Sequence, residues 1–216
     1  MLTILSDNFS LVNSWINDLR NIDIQDDRMK FRRNMERIGE ISAFEISKTL
    51  DYKNIEITTP LDTIAVKEIA TQPVITTILR AGVPLFQGVL NYFDKADCGF
   101  VAAYRKHDAN DYFSIKQDYL TCPKLDGRPL IVADPMLATG ASLIEAIKDL
   151  LTNGKPTAIH IVAAIASRQG VETIHKAYPE AQIWVGALDE HLTSKGYITP
   201  GLGDAGDLSY GEKLQR

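Results

Sequence analysis

This sequence has few cysteines and histidines, no excess of positive charge and no long apolar run. Its two cysteines, Cys98 and Cys122, lie in different segments and make no metal-ligand spacing, so reduced thiols in a cytoplasmic protein are expected. Of four histidines, His160 falls inside an apolar run and reads as structural, while His175 and His191 have no sequence neighbour that suggests a metal. No segment approaches the ~18 apolar residues that span a bilayer. The first ten residues, MLTILSDNFS, have no basic region and too short an apolar run for a signal peptide. With 23 Lys and Arg against 28 Asp and Glu, the net charge is −5 and the pI about 5.4. That argues against a basic nucleic-acid or membrane-surface binder. A polyanionic ligand would need local donors, because the overall field weakly repels it.

What is present suits one α/β domain over residues 1–216, with 45% apolar and 24% charged residues, ordinary for a soluble protein with a full core. Ser10 can cap a helix carrying Leu11, Trp15, Ile16 and Leu19 on one side, and a longer helix is predicted over 27–48 with Phe31, Met35, Ile38 and Ile41 inward. NIEITTPL (54–61) alternates as a strand that Pro60 ends. From Pro73 onward, apolar runs alternate with amphipathic stretches. Strands are predicted over 73–79, 98–105, 129–134, 157–166 and 182–189, an antiparallel one over 111–120, and helices over 83–93, from 143 towards Gly154, and near 170–177. That alternation indicates βαβ units and a parallel twisted sheet flanked by helices, with a helical N-terminal section. After Asp189 the chain is Gly-rich, shows no periodicity and reads as an irregular loop.

Three strand ends carry chemistry. Residues 132–143, VADPMLATGASL, place Asp134 after an apolar strand and four small or hydroxylic residues, Thr139, Gly140, Ala141 and Ser142, before a helix. Backbone N–H groups there can close on an anion at the positive helix end, and phosphate is the expected anion. A carboxylate beside such a loop needs a partner of its own, either sugar hydroxyls or a Mg²⁺-bound water. Arg80, followed by Ala81 and Gly82, reads either as an anion contact or as a surface arginine. The Tyr104-Arg105-Lys106-His107 cluster has the same two readings. Together the loops ask for a phosphorylated sugar with a second anionic group near Arg80 and Arg105.

Two familiar nucleotide motifs fail. GLGDAG (201–206) fits G-x-G-x-x-G, but only ten residues follow it and Pro200 precedes it, so the dinucleotide reading falls. ATGAS (138–142) lacks the lysine of a P-loop. The glycines at 201, 203 and 206 do allow a planar ligand to lie against bare backbone.

In this order and spacing, ILRAG (78–82), VADPMLATGAS (132–142) and GYITPGLGDAGD (196–207) resemble the uracil phosphoribosyltransferase family. The resemblance runs from the FRRNMERIG helix through Tyr210-Gly211 and is loose in the N-terminal third. It implies a type I phosphoribosyltransferase fold with an irregular C-terminal base-binding loop. The implied reaction joins uracil to 5-phosphoribosyl-1-diphosphate (PRPP), with Mg²⁺, to give UMP and diphosphate. By position, Arg80 and Arg105 would hold diphosphate. Asp134 would bind ribose, and the stretch Pro135, Met136, Leu137, Ala138, Thr139, Gly140, Ala141 and Ser142 would complete the PRPP site around the 5-phosphate. Ile198, Gly203, Asp204 and Ala205 would receive uracil, with Asp204 also near PRPP or its Mg²⁺. His107 reads either as a diphosphate contact or as solvated, and Tyr197 either stacks near the base or packs.

Three positions depart from the family pattern: Thr77 where proline is usual, Ala141 where glycine is usual, and Thr199 where an aliphatic residue is common. A homo-dimer or larger homo-oligomer is implied, with no nucleic-acid or membrane partner. Related regulators that bind pyrimidine-operon RNA typically show two adjacent acids before the TG loop, whereas Ala133 precedes Asp134 here. The acidic pI argues the same way. Retention of Arg80, Asp134, ATGAS and Asp204 argues against a catalytically silent interaction module.

Overall fold

The computed structural model describes residues 1–107 and 113–212. A short strand β1 (Leu2–Ile4) precedes helices α1 (Leu11–Arg20) and α2 (Arg28–Ser47). Ser10 caps α1 in a capping box with Asn13, and Asp27 caps α2 by accepting from the Lys30 N–H. A hairpin follows, β2 (Tyr52–Thr58) and β3 (Thr63–Ile69), then β4 (Val74–Leu79), α3 (Val83–Leu90), β5 (Asp97–His107) and β6 (Phe113–Thr121). Next come β7 (Pro129–Ala133), the two-residue β8 (Met136–Leu137), α4 (Ala141–Leu150), β9 (Ala158–Ser167), α5 (Arg168–Ala177) and β10 (Gln182–Asp189). The chain continues through β11 (His191–Leu192), β12 (Ile198–Thr199) and α6 (Ala205–Tyr210).

The main sheet runs β1-β10-β9-β7-β4-β5-β6, with β8 also pairing β9. Its neighbours are parallel except β5 and β6, as expected for βαβ units with one returning strand. Every residue of β7 is buried, which is why it reads as an unbroken apolar run. One core joins a sheet face to α1, α2 and α3; the other joins the opposite face to α4 and α5. Cys98 packs on the first and Cys122 on the second, so the sheet separates the two free thiols. His160 is buried, with Trp184 donating to its Nδ1 at 3.3 Å, and burial lowers its pKa to about 4. It is a neutral packing residue, as its place in the strand implies. Among the described residues no helix is long and apolar enough to cross a membrane.

Several expectations need correction. Leu11 is 68% exposed; Val12 takes its place in the inner stripe, because the capping box sets the helix phase. The strand expected over 54–61 ends at Thr58 and is half of a hairpin, whose second strand was not foreseen. Helix α3 stops at Leu90, and α5 starts two residues earlier than expected, after the cap Ser167. The C-terminal stretch is not wholly irregular: β11 and β12 pair, and α6 begins inside the GLGDAG motif. Such short elements carry no period to detect. Of the antiparallel strand expected over 111–120, residues 111 and 112 lie outside the described residues.

Helices α2 and α3 touch backbone to backbone. A Cβ on Gly39 would overlap the Leu85 carbonyl, and one on Gly88 would overlap the Glu36 carbonyl. Neither neighbour is a side chain that could rotate away. Gly88→Ala should therefore force the helices apart and cost about 1–3 kcal/mol of stability, read as a lowered urea midpoint with unchanged slope. An unchanged midpoint would contradict this packing.

Candidate active site

The chain leaves β4 through α3 to one side of the sheet, and β7 through α4 to the other. The switch between β4 and β7 is where α/β sheets gather ligands at strand carboxyl ends. Thr77 spans it, its hydroxyl donating to the Ala133 carbonyl at 2.8 Å. A Cβ on Gly82 would overlap that same hydroxyl, so the turn after β4 lies flat against Thr77.

Asp134 follows β7 directly, and its backbone N–H is fixed by Val162 O at 3.0 Å. The residue as a whole is half-buried, and its carboxylate has no hydrogen-bond partner among the described residues. Burial pushes its carboxyl up to about 7 from an ordinary value of 3.8. Beyond it, Pro135 O accepts from both Ala164 and Ile165, and Met136 and Leu137 form β8 against β9. The loop then turns at Gly140, whose φ of 82° belongs to the left-handed region that glycine tolerates. Ala141 begins α4, so Thr139, Gly140 and Ser142 sit at a helix N-terminus, whose Ala141 N–H donates to Thr139 Oγ1 at 3.4 Å and whose next N–H groups have no carbonyl of their own helix to meet. The loop rests on α5: Ser167 Oγ donates to Ala138 O at 2.5 Å and accepts from Gly170 N at 2.9 Å, and a Cβ on Gly170 would overlap Ala138 O.

Arg80 follows β4 and turns towards the C-terminal segment. Its Nη2 donates to Asp207 Oδ1 at 2.9 Å and to Gly211 O at 2.7 Å. Asp204 caps α6, accepting from Gly206 N and Asp207 N. Ile198 and Ala205 are buried, while Gly203 and Asp204 are exposed. Gly203 and Asp204 line an open cleft of about 380 Å³ with Gln25, Arg28, Asp207 and Glu212. The structure thus brings Arg80 to the 204–207 turn and sets Asp134 beside the 138–142 loop. Arg105 lies on β5 opposite Ile115, but its side chain and that of His107 lie outside what is described.

Sequence reasoning missed the supports of these loops. Arg20 donates to both oxygens of the buried Asp189 carboxylate, at 2.8 and 2.7 Å, and to Gly201 O at 2.9 Å. Asp189 Oδ2 also accepts from Gly201 N at 2.9 Å. This ion pair fixes the start of the 201–211 segment. Ser167, Asp189 and Asp207 carried one available signal, as polar residues at the end of an apolar strand or beside a turn.

The sequence profile of the uracil phosphoribosyltransferase family matches residues 7–211. The chain belongs to this family. It is 47% identical over 206 residues to the uracil phosphoribosyltransferase of Porphyromonas gingivalis (strain ATCC 33277), covering 95% of both chains. It is 39% identical over 193 residues to that of Thermococcus gammatolerans, covering 88% of this chain and 85% of the relative. Among solved structures, the AQ2163 protein of Aquifex aeolicus matches all of both chains at 29% identity and a TM-score of 0.87. TT1426 of Thermus thermophilus, at 15% identity and a TM-score of 0.51 over 82% of this chain and 95% of its own, shares the fold.

Against the uracil phosphoribosyltransferase pattern, two of the three departures are accommodated. Thr77 ties β4 to β7 through its hydroxyl, and Ala141 has helical backbone while Gly140 takes the positive φ. Thr199 is half-buried and pairs with His191 across β11 and β12; nothing in the structure explains the choice of threonine.

The raised carboxyl of Asp134 makes stability pH-dependent. Its folded pKa lies above the unfolded value, so between about pH 4 and 7 the folded state binds more protons and stability falls as pH rises. Asp134→Asn removes that loss. We expect the ligand-free variant to be more stable than wild type by up to about 4 kcal/mol above pH 7. The gain should vanish below about pH 4 in urea titrations across that range. A gain independent of pH would refute the raised carboxyl.

Proposed function

We infer that this uracil phosphoribosyltransferase joins uracil to PRPP, releasing UMP and diphosphate. The observation that carries the reading is the grouping, at one switch point, of Asp134, the 138–142 helix N-terminus and Arg80. The chain around that point matches the family from residue 7 to 211.

In this reading the backbone N–H groups of the 138–142 loop bind the 5-phosphate, and Asp134 accepts hydrogen bonds from the ribose hydroxyls. Those donors favour the charged carboxylate that burial disfavours. Arg80 and Arg105 bind the diphosphate. Ile198, Gly203 and Ala205 pair with the uracil edge largely through backbone groups, and Asp204 holds the turn by capping α6. Uracil N1 forms a bond to the anomeric carbon while the carbon–oxygen bond to diphosphate breaks, the electron pair leaving with diphosphate and the N1 proton passing to water. No side-chain nucleophile is needed; the protein supplies orientation and charge stabilisation.

Mg²⁺ brought by the substrate is part of the proposal. Asp204, at the turn beside Arg80, and Asp134 each offer a carboxylate to the water shell of a hard, hydrated ion. When bound, Mg²⁺ neutralises charge on the diphosphate. A cytoplasmic setting is part of the proposal and agrees with the free cysteines.

We also propose a homodimer seated on the β2–β3 hairpin. One hairpin face aligns Ile55 with Val66 and Ile57 with Ile64, and Ile57 and Ile64 are 41% and 53% exposed. A two-stranded hairpin alone is marginal in water, and an apolar face this open favours a covering surface. Ile57→Asp with Ile64→Asp should convert a dimer into monomers by light scattering; a wild-type monomer would defeat the idea.

Activity is tested by uracil-dependent diphosphate release from PRPP. Uracil should be strongly preferred over cytosine, hypoxanthine and guanine, since a mispaired buried group costs about 1–3 kcal/mol. Arg80→Ala should lower kcat/KM for PRPP by at least tenfold, because a hydrogen bond to a charged group is worth about 1.5–3 kcal/mol. Comparable product from cytosine or a purine would overturn the base-site assignment.

A further inference from the structure

Arg80 is held from one side only. Its Nη2 carries both bonds, to Asp207 Oδ1 and Gly211 O, while Nε and Nη1 have no hydrogen-bond partner among the described residues. The side chains of Arg80 and Asp207 are 40% and 30% exposed, so the pair sits at a mouth open to ligand. Behind the pair, α6 is anchored to α2, where Arg32 donates to Ser209 O at 2.8 Å. The Tyr210 ring stands 6.0 Å from the guanidinium carbons of both Arg32 and Arg80. A Cβ on Gly206 would lie 3.6 Å from Ala81 Cβ and 3.9 Å from Arg80 Nε, so the first turn of α6 packs on the Arg80 loop. Asp207 belongs to that turn, immediately after the 198–205 stretch.

We propose that Asp207, with the Gly211 carbonyl, is a positioning residue that holds the Arg80 guanidinium so that its remaining edge meets the diphosphate of PRPP. This rests on the functional reading above. An arginine side chain has many rotamers, and a planar fork meets a diphosphate through two parallel bonds only in a narrow range of orientations. Fixing one nitrogen beforehand removes much of that search before the substrate arrives. The Asp207 charge also repels a polyphosphate, but both side chains are partly exposed and solvent screens that repulsion. Orientation is therefore the larger effect. Since Asp207 lies on the helix that continues the base loop, the contact also links the two substrate subsites.

Calorimetric binding of PRPP with Mg²⁺, and separately of UMP, to wild type, Asp207→Asn and Asp207→Ala tests this. UMP contacts the phosphate and base loops but lacks diphosphate, so it reads whether α6 is intact. We expect PRPP affinity to fall about threefold in Asp207→Asn and tenfold or more in Asp207→Ala, with UMP affinity within twofold of wild type. In an Arg80→Ala background, Asp207→Ala should have no further effect on PRPP. Equal losses for PRPP and UMP would make Asp207 a mere support of α6 and overturn the proposal. Tighter PRPP binding by Asp207→Asn would make the carboxylate a competitor and overturn it too. A wild-type protein that binds neither ligand would instead bring down the functional reading, and the positioning role with it.

Discussion

The paired bonds between the Arg20 guanidinium and the Asp189 carboxylate join three segments far apart in sequence. One is the end of α1, another is the end of β10, and the third begins at Gly201. Asp189 is only 6% exposed, so its charge is tolerable only with a partner. Removing one member of such a pair leaves the other stranded, at a cost of about 3–5 kcal/mol. The planar fork of arginine serves here because it engages both carboxylate oxygens and still reaches Gly201 O. Gly201 has a φ of 60°, and a Cβ there would overlap Ile198 O, so the tight turn closes against the base of that contact. Everything from Leu202 to Gly211, including α6 and its grip on Arg80, departs from this point.

The two halves of the site are supported from opposite faces of the sheet. The 138–142 loop rests on α5 through Ser167 and Gly170, on the face packed by α4 and α5. The 201–211 segment rests on α1 and α2 through Arg20 and Arg32, on the other face. They meet across the switch between β4 and β7, where the Thr77 hydroxyl holds the two strand ends together. The net charge of −5 matters little to such a site. Its donors are local, namely a helix N-terminus and a guanidinium, and they act at hydrogen-bond range.

Much of the central fold was legible. Strands β4, β7, β9 and β10 are covered on both faces and therefore read as long apolar runs, and β10 matches its expected bounds. The motif at 132–143 showed a strand, an acid and a helix start because each link is local. The hairpin strand β3, the edge strand β1 and helix α6 were not legible. Strand β3 has little burial to impose alternation, and β1 and α6 are shorter than one reliable period. Leu11 was misplaced for a related reason: its apolar character said helix face, but the cap geometry set the phase.

By itself the sequence determined the class of sheet, the places where its strands end, and which of those ends carry an acid, an arginine or a run of small residues. Periodicity and turn chemistry act over a few residues, so they survive in one dimension. Only the tertiary structure decided that Arg80 faces Asp207, that Ser167 carries the 138–142 loop, and that Arg20 reaches Asp189 across the fold. These contacts span 127, 29 and 169 residues of chain. The order of strands in the sheet brings them together, and no local pattern encodes that order.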